Sequence, residues 1–348
     1  MPSIAALPEA AALSASPDTT RHAVAIEARA GLTAHPRTLS PWLFYDEAGS
    51  HLFEQITQLP EYYLTRTERG IFTAHADEIL QQAANGDEDK DDKQILTLIE
   101  LGAGTAAKTG VLLAAAVRRQ GSVVYQPVDV SETALAVASR NIQANFPGVT
   151  VRCQVADYTR EALPLDRLPG LRTLALYIGS SIGNFSPAAA KSLLSNVRGQ
   201  LLPGDKLLLG TDLCPSPQKN IATLLAAYND ASGTTAAFNR NVLTRLNRDL
   251  GADFDTDAFT HKAVWNPIHS RIEMHLESTH HQRVHIPANS AGPALTLTFE
   301  PGETIHTENS YKFTPAAIEA LLTPAAFATT RIWHDPQHLF AVTLATAI

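Results

Sequence analysis

An apolar segment that runs straight into a glycine turn is the feature that most constrains this fold. Residues 95–101 are almost all apolar and end in Glu100-Leu101, and Gly102, Gly104 and Thr105 follow before a helix-forming stretch. Glycines at such a point let the backbone turn tightly and approach a ligand closely. Because open α/β sheets bind ligands at the carboxyl ends of their parallel strands, the segment predicts such a sheet with a nucleotide-like cofactor at this turn.

The glycine pattern alone leaves the identity of the cofactor open, because position 107 is an alanine, which dinucleotide-binding turns also accept. Two later carboxylates bear on the choice. Asp129 ends the strand predicted over 123–129, where an acid hydrogen-bonds a ribose diol. Asp157 and Tyr158 follow the strand predicted over 149–155, and they suit the exocyclic amine and the ring of adenine. Together these features resemble the class I S-adenosylmethionine (SAM) methyltransferases; a NAD-dependent enzyme and a sheet without a cofactor are the alternatives.

Composition bounds the class of protein and excludes several partners. The 348 residues are 45% hydrophobic and 18% charged, as expected for a globular enzyme with one large domain or two modest ones. A net charge of −8 without a basic stripe argues against a nucleic acid partner. The chain has no run of about 18 apolar residues, so no membrane span is expected. We therefore expect a cytoplasmic protein, and nothing indicates an association beyond a monomer.

Three groups of residues are expected to have no catalytic or binding role. Residues 1–19 are rich in alanine, serine and proline and lack a basic start, which predicts a flexible tail and not a signal peptide. Cys153 and Cys214 adjoin apolar strands and are expected to be buried small hydrophobic residues. The histidines at 280, 281 and 285 alternate with other residues at strand spacing, which indicates a solvated strand face, and no metal site is expected.

Helical signals precede the glycine turn. Apolar residues at helical spacing over 46–56 predict one helix. Thr65, with Glu68 three residues later, predicts a capping box at the start of a second helix that runs to about Ala84. Residues 85–93 are charged and predict a solvated surface loop.

After the glycine turn, strands and helices alternate as far as residue 213, with a helix after Ser131, a strand over 171–178, a helix after Ser186-Pro187 and a strand over 206–210. The alternation then gives way to helical sequence over 214–259 and to short strands over 262–265, 271–278, 295–299 and 304–307. This change predicts an inserted lid or substrate-binding unit, while the final strands return to the main sheet. We expect a SAM-binding domain of residues 67–213 plus 313–348, and a substrate-binding domain of residues 20–66 plus 214–312.

Five separated blocks outside the strands identify a narrower resemblance. They are Tyr45–Glu54, Leu59–Glu68, Gly179–Asn184, Ala226–Asn241 and Thr307–Phe313. In this order they resemble the family of histidine-specific, SAM-dependent methyltransferases over about residues 20–348. The resemblance implies a Rossmann-like class I SAM-dependent methyltransferase fold with a second, substrate-binding domain. It also implies that one L-histidine is methylated three times on its α-nitrogen to give the betaine hercynine, the first step of ergothioneine biosynthesis.

The same resemblance assigns residues to two sites. By similarity, the family's histidine-binding positions are Tyr62, Asn184, Tyr228, Glu308 and Ser310. The SAM-binding positions are Gly102, Lys108, Asp129, Asp157 and Tyr158. Met274, on a strand predicted beside the pocket, bears on the choice of substrate.

The chemistry of these side chains fits the implied roles. Glu308 can accept a hydrogen bond from an imidazole N–H, and Ser310 can serve the other ring nitrogen as donor or acceptor. Their spacing of two residues puts both on one face of an extended segment. Asn184 and Tyr228 suit the substrate carboxylate, and Tyr45 is expected near the amine. No dedicated catalytic base is required, because an α-amine with a pKa of about 7.7–8 keeps a neutral fraction, so catalysis would rest on positioning by Asn184, Tyr228 and Tyr45.

Two alternative functions remain open at this point. One is a methyltransferase of the same family that acts on another amino acid, such as a tryptophan derivative. Glu308 and Ser310 argue against it, because an indole has one ring donor and no ring acceptor. The other is a non-catalytic SAM-binding protein, which the complete set of substrate positions makes the weaker interpretation.

Overall fold

The structure is a computed structural model that describes residues 17–85, 94–106, 108–158, 167 and 169–348. The first sixteen residues of the predicted tail and residues 86–93 of the predicted charged loop lie outside this set. The first helix begins at Pro17, so residues 17–19 of the predicted tail are helical. None of the helices within the described ranges is long and apolar enough to cross a membrane.

The strands of the described residues form one large sheet, one small sheet and a separate hairpin. In chain order they are β1 (Arg37–Thr38), β2 (Leu96–Leu101), β3 (Val123–Asp129), β4 (Val149–Val151), β5 (Gln154–Val155), β6 (Arg172–Tyr177), β7 (Lys206–Asp212), β8 (Phe259–Asn266), β9 (Arg271–Ser278), β10 (Gln282–Ile286), β11 (Leu295–Phe299), β12 (Thr304–Tyr311), β13 (Phe327–His334) and β14 (Phe340–Ala347).

Helices pack around these sheets and connect their strands. The α-helices of the described residues are α1 (Pro17–Thr33), α2 (Glu47–Gln58), α3 (Tyr63–Ala84), α4 (Gly110–Gln120), α5 (Glu132–Asn145), α6 (Pro187–Gly199), α7 (Ile221–Ala227), α8 (Thr234–Leu250) and α9 (Pro315–Leu322). The predicted caps at Ser131 and Ser186 are confirmed, since their hydroxyls accept from the backbone N–H groups of Ala134 and Ala189.

The large sheet has the strand order β13-β14-β7-β6-β2-β3-β4, with β5 pairing the end of β3. Strands β2 to β7 run parallel, and β14 and β13 are antiparallel additions at one edge. Alternate residues of β2 enter opposite cores: Leu98 packs in the cluster that contains α3 and α4, and Ile99 packs in the cluster that contains α6 and α9. This is the predicted parallel α/β sheet, whose central strands are apolar throughout because both faces are covered.

The small sheet has the order β1-β12-β9-β8 and is built from the segment predicted as an insertion. Strand β9 alternates half-buried and buried residues, so one face packs inward and the other faces outward. The hairpin β10–β11 lies beside it, with His285 on its exposed face and with His280 and His281 exposed just before β10, as the sequence predicts.

Three local predictions are wrong. Helix α3 begins at Tyr63, so Thr65 lies inside it, and Glu68 is a buried side chain and not part of a capping box. The strand predicted over 149–155 is broken into β4 and β5 at Arg152 and Cys153. Cys153, which lies at this break, is exposed, and Cys214, which follows β7, is half-buried, so neither is the buried residue that the sequence predicts. The break occurs because β3 pairs with two short strands in succession.

A buried carboxylic acid supports the glycine turn from below. Glu100, in β2, is 3% exposed and accepts hydrogen bonds from the hydroxyls of Thr109 and Tyr125. Burial raises the pKa of Glu100 from 4.5 to about 7, although both hydrogen bonds act in the opposite direction. A folded-state pKa above the unfolded value means that stability is lost as the pH rises from 4.5 towards 7.

Replacing Glu100 with glutamine should therefore stabilise the fold at high pH. We expect E100Q to raise the free energy of unfolding by up to about 3 kcal/mol at pH 8 and by much less at pH 5. Denaturant titrations at the two pH values measure this. E132Q, on the exposed first turn of α5, controls for the loss of one negative charge. An equal change at both pH values would contradict the assignment.

Candidate active site

The glycine turn after β2 forms a concave backbone segment at the carboxyl end of the large sheet. The N–H groups of Gly102 and Ala103 both donate to the carbonyl of Val128, at 2.8 and 3.2 Å, which links the turn to β3. Gly102 has φ +66°, and a Cβ placed there would lie 2.7 Å from the hydroxyl oxygen of Tyr158. The turn therefore requires glycine, both for its backbone conformation and for the close approach of that tyrosine.

Asp129 lies at the end of β3, where the sequence predicts the ribose acid. Its Oδ2 accepts from Gly104 N at 2.9 Å and its Oδ1 accepts from Ser131 N at 2.9 Å. Burial raises the pKa of Asp129, while these backbone hydrogen bonds oppose the shift. Each carboxylate oxygen still has a lone pair for a further donor, so the fixed side chain is suited to a vicinal diol.

Asp157 and Tyr158 follow β5 on the same edge of the sheet. The Tyr158 ring packs edge-on against Tyr177, with 5.9 Å between the centroids. Burial raises the pKa of the Tyr158 hydroxyl, and the neighbouring Asp129 adds to the shift. Gly102, Asp129 and Tyr158 thus lie together and fit a nucleoside, while Asp157 is adjacent to Tyr158 in the chain.

Lys108 is held by a carboxylate that the sequence assigns to a helix cap. Lys108 Nζ donates to Glu68 Oε2 at 2.8 Å, and Glu68 Oε1 accepts from the backbone N–H of Gly179 at 2.8 Å. The Glu68 side chain is completely buried, whereas a quarter of the Lys108 side chain is exposed. Glu68 therefore fixes the lysine at the edge of the cofactor crevice and joins α3 to the loop after β6.

The predicted substrate side chains lie on β12, and a bulge decides which way they face. The pairing of β12 with β9 slips between His306 and Glu308, so that Glu308 lies opposite Met274 and Ser310 lies opposite Ile272. Met274 and Ile272 are buried on the inner face of β9. Because directly opposed residues share a face, Glu308 and Ser310 also point inward, next to Met274.

Glu308 is half-buried and close to Asn184, which ends the 3-10 turn Ser181–Asn184. Oriented to satisfy its neighbours, the Asn184 amide donates to Glu308 Oε1 at 3.3 Å and to the carbonyl of Asn309 at 3.2 Å. Burial raises the pKa of Glu308 to about 7, against the lowering effect of Lys312. Glu308 is therefore suited to accept a hydrogen bond, and a cationic partner would favour its charged form.

Tyr228 and Ser310 belong to a buried hydrogen-bond network. Their hydroxyl oxygens are 2.7 Å apart, and Lys312 Nζ donates to both, at 2.9 and 2.8 Å. Lys312 also pairs with Asp212 Oδ2 at 2.8 Å. Asp212 accepts in addition from Lys219 and from the hydroxyl of Tyr63. Although burial opposes it, the two lysines hold the pKa of Asp212 below its usual value.

Aromatic rings line the approach to these polar groups. Tyr62 lies edge-on to Tyr228, with 6.3 Å between the ring centroids, and it also contacts Phe53. The rings of Phe53 and Phe238 both contact the Tyr45 ring, with 5.8 and 5.9 Å between the ring centroids. Partial burial raises the pKa of the Tyr45 hydroxyl, and further contributions come from Glu308, Tyr62, Tyr158 and Asp129. Tyr45 therefore belongs to an aromatic cluster beside the predicted substrate residues.

The structure thus brings together two sets of predicted residues and adds others. The substrate set meets on β12, β9, the 3-10 turn and the ends of α3 and α7, and the cofactor set meets at the end of the large sheet. Sequence reasoning assigns no site role to Glu68, Asp212, Lys219 or Lys312. Only Lys312 carries a usable signal, since it follows Ser310 by two residues, the spacing that keeps an extended chain on one face.

A second cluster lies on the outer face of the small sheet. Glu273, His275 and His306 have potential ligand atoms within 4.8 Å of one another. Glu273 Oε1, however, accepts from Arg271 and Asn266 at 2.8 Å each. Although burial opposes it, these hydrogen bonds hold the pKa of Glu273 at about 2. The guanidinium already neutralises this carboxylate and would repel a cation.

Residues 24–347 match the sequence model of a family described as histidine-specific, SAM-dependent methyltransferases. The chain belongs to this family. As a member it is a SAM-dependent methyltransferase, and the α/β sheet with its glycine turn is the class I fold that the sequence predicts.

Two mycobacterial relatives match over nearly the whole chain. The chain is 43% identical to the histidine N-alpha-methyltransferase of Mycolicibacterium smegmatis over 94% of this chain and 96% of that protein. It is 42% identical to the histidine N-alpha-methyltransferase of Mycobacterium tuberculosis, over 90% and 92% of the two chains. It is also 31% identical to ergothioneine biosynthesis protein 1 of Neurospora crassa, over 77% of this chain and 32% of that protein.

The position of Asp129 at the end of β3, bonded to the glycine turn, predicts a measurable effect on cofactor binding. We expect D129A to weaken binding of S-adenosylhomocysteine by about 1.5–3 kcal/mol, the cost of losing charge-assisted hydrogen bonds. Calorimetric titration measures this, and a thermal melt establishes that the variant is folded. E132A removes an exposed carboxylate three residues away and should bind as the parent does. Unchanged affinity in folded D129A would remove Asp129 from the site.

Proposed function

We propose that this methyltransferase of the histidine-specific family methylates the α-amine of L-histidine three times and releases hercynine, the first step of ergothioneine biosynthesis. The observation that carries the proposal is the inward face of β12, where Glu308 and Ser310 are two residues apart and Tyr228 contacts Ser310. Three differently placed polar groups on one buried face match the ring and the carboxylate of a free amino acid. The names of the mycobacterial relatives support the same substrate.

Each proposed substrate contact follows from donor and acceptor chemistry. Glu308 accepts a hydrogen bond from an imidazole N–H, and the hydroxyl of Ser310 forms a hydrogen bond with the second ring nitrogen. Tyr228 donates to the substrate carboxylate, and Asn184 can turn its amide from Glu308 towards the carboxylate and the amine. Tyr62 packs against the ring, and the buried side chain of Met274 limits the size of the ring that fits beside Glu308.

The cofactor residues have equally specific proposed roles. Asp129 binds the ribose diol, and Asp157 and Tyr158 bind adenine through its amine and its face. Gly102 gives the backbone access to the nucleoside, and Lys108, fixed by Glu68, meets the carboxylate of the cofactor's amino-acid portion. These residues would hold SAM, which would supply the activated methyl group.

The chain contributes alignment and surroundings to the reaction. Bound SAM supplies the activated methyl group. Asn184 and Tyr228 hold the amine in line with it, which lowers the entropic part of the barrier. The rings of Tyr45 and Tyr62 offer negative faces to the ammonium that forms after each transfer. The amine enters in its neutral fraction, so none of the described residues is assigned as a dedicated base.

Three further features stay predictions of the sequence. They are the division into a SAM-binding domain of residues 67–213 plus 313–348 and a substrate-binding domain of residues 20–66 plus 214–312, the monomeric state, and the cytoplasmic location. The separate large and small sheets support the division.

Product analysis tests the proposed reaction directly. With excess SAM, L-histidine should accumulate mainly as the Nα-trimethylated betaine, because the aromatic surroundings accommodate and favour a quaternary ammonium. Mass spectrometry with fragmentation locates the methyl groups. Incubation with each other free amino acid, including tryptophan, is the comparison. A ring-methylated product, or conversion of tryptophan alone, would sink the assignment.

Substitution of Glu308 tests how the ring is chosen. We expect E308A to lower kcat/KM for histidine by about 2–4 kcal/mol, because a ring N–H loses its acceptor. The value of kcat/KM for tryptophan should fall little or rise, because space opens beside Met274 and the carboxylate that disfavours an apolar ring is gone. E277A is the matched control, because Glu277 lies on β9 and pairs with Lys262 at the surface. If E308A kept the parent's preference for histidine, Glu308 would lie outside the ring pocket.

A further inference from the structure

Lys312 is a fully buried lysine whose three N–H bonds all point at named partners. Its side chain is 0% exposed, and its Nζ is 2.8 Å from Asp212 Oδ2. The other two contacts are the hydroxyl oxygens of Tyr228 and Ser310. Since an ammonium can only donate, both hydroxyl oxygens act as acceptors towards Lys312.

The charges around Asp212 do not balance by themselves. One carboxylate faces two buried ammonium groups, Lys219 and Lys312. Lys219 turns its remaining N–H groups to the backbone carbonyls of Leu213 and Leu339, away from the candidate substrate residues. Lys312 turns its own to the two hydroxyls of the substrate set. Because a buried charge is costly unless it is matched, the excess positive charge calls for an anion on the side of Tyr228 and Ser310.

The other ionisable groups near this network leave that role to the substrate. Glu308, four residues before Lys312 on the inward run of β12, is the carboxylate proposed to receive the imidazole. Glu68 is committed to Lys108 and to the Gly179 N–H. Tyr62 and Tyr63 are neutral phenols, because burial raises the pKa of both well above its usual value. A histidine placed along β12 would have its ring at Glu308 and its carboxylate near the excess positive charge.

The two hydroxyls also limit how the substrate is held. Tyr228 and Ser310 share one hydrogen bond, so of their two protons one lies between them and one is left for a ligand. The available proton is expected to go to the strongest acceptor, which is a carboxylate. A phenol that accepts from an ammonium is a strengthened donor, so Tyr228 is the group suited to this contact.

We infer that Lys312 is the buried counter-charge for the α-carboxylate of the substrate, acting through the hydroxyl of Tyr228. Lys312 is then a positioning residue that makes the enzyme select amino acids over the corresponding amides and amines. The inference rests on the proposed function, because it takes the substrate to be a free amino acid bound along β12.

The test compares L-histidine with L-histidinamide, which replaces the anionic carboxylate with a neutral amide. Values of kcat/KM for both substrates are measured in the parent, K312M, K312Q and Y63F. K312Q keeps a hydrogen-bond donor without the charge, and it carries the comparison if K312M does not fold. Y63F is the matched control, because it removes a hydrogen-bond donor from both carboxylate oxygens of Asp212 without changing any charge. Comparing the same two substrates in every enzyme cancels their intrinsic difference in reactivity.

We expect the parent and Y63F to prefer histidine by about 100-fold or more, the usual scale for a buried charge pair. In K312M and K312Q the preference should fall below about tenfold, mainly through loss of activity on histidine. If Lys312 had a purely structural role, its substitution would lower kcat/KM for both substrates by the same factor and leave the preference unchanged. That result would overturn the inference. A parent that methylates both substrates equally well also overturns it but leaves the proposed reaction intact. A parent that methylates neither substrate overturns the proposed function.

Discussion

A single buried carboxylate ties the large sheet to the elements that carry the candidate substrate site. Asp212, the last residue of β7, accepts from Tyr63 on α3 and pairs with Lys219 and with Lys312, which follows β12. Breaking one partner of such a network leaves an uncompensated charge in the interior, at a cost of several kcal/mol. These polar contacts have a fixed geometry and therefore set the position of the elements relative to one another. Apolar packing alone would allow the elements to shift. The hydroxyl of Tyr228 is anchored to the same network through Lys312.

Most of the α/β scaffold could be predicted from the sequence, since its central strands are uninterrupted apolar runs. The strand over 271–278 is also found where alternation places it, because one face is buried and the other is not. The failures have local causes. The run over 149–155 has the composition of one strand, but its partner β3 pairs with it in two pieces, and only the pairing reveals the break. Thr65 and Glu68 match a capping pattern, yet long-range contacts with Lys108 determine the environment of Glu68.

The candidate site divides in a similar way. Residues proposed to contact a ligand, such as Asp129 and Glu308, could be identified from their place after a strand or within a block that resembles the family. Residues that act on other residues could not. Asp212 and Lys219 follow no spacing pattern in the sequence, and the contacts of Asp212 with Tyr63 and Lys312 form only when distant segments come together. A charged residue in a sequence is by default a surface residue, and only the fold shows that these are buried.

The bulge in β12 has a consequence for how this pocket can change over generations. Between His306 and Glu308 one extra residue resets the alternation, so the inner and outer faces of the strand are determined by residue count and not by residue type. Side chains on the inner face can be exchanged one at a time without disturbing the ladder, which permits gradual drift towards a different substrate. A one-residue insertion or deletion at the bulge would instead exchange the two faces in a single step. Substitutions are thus the accessible route to a new specificity, and selection is expected to remove insertions and deletions at the bulge.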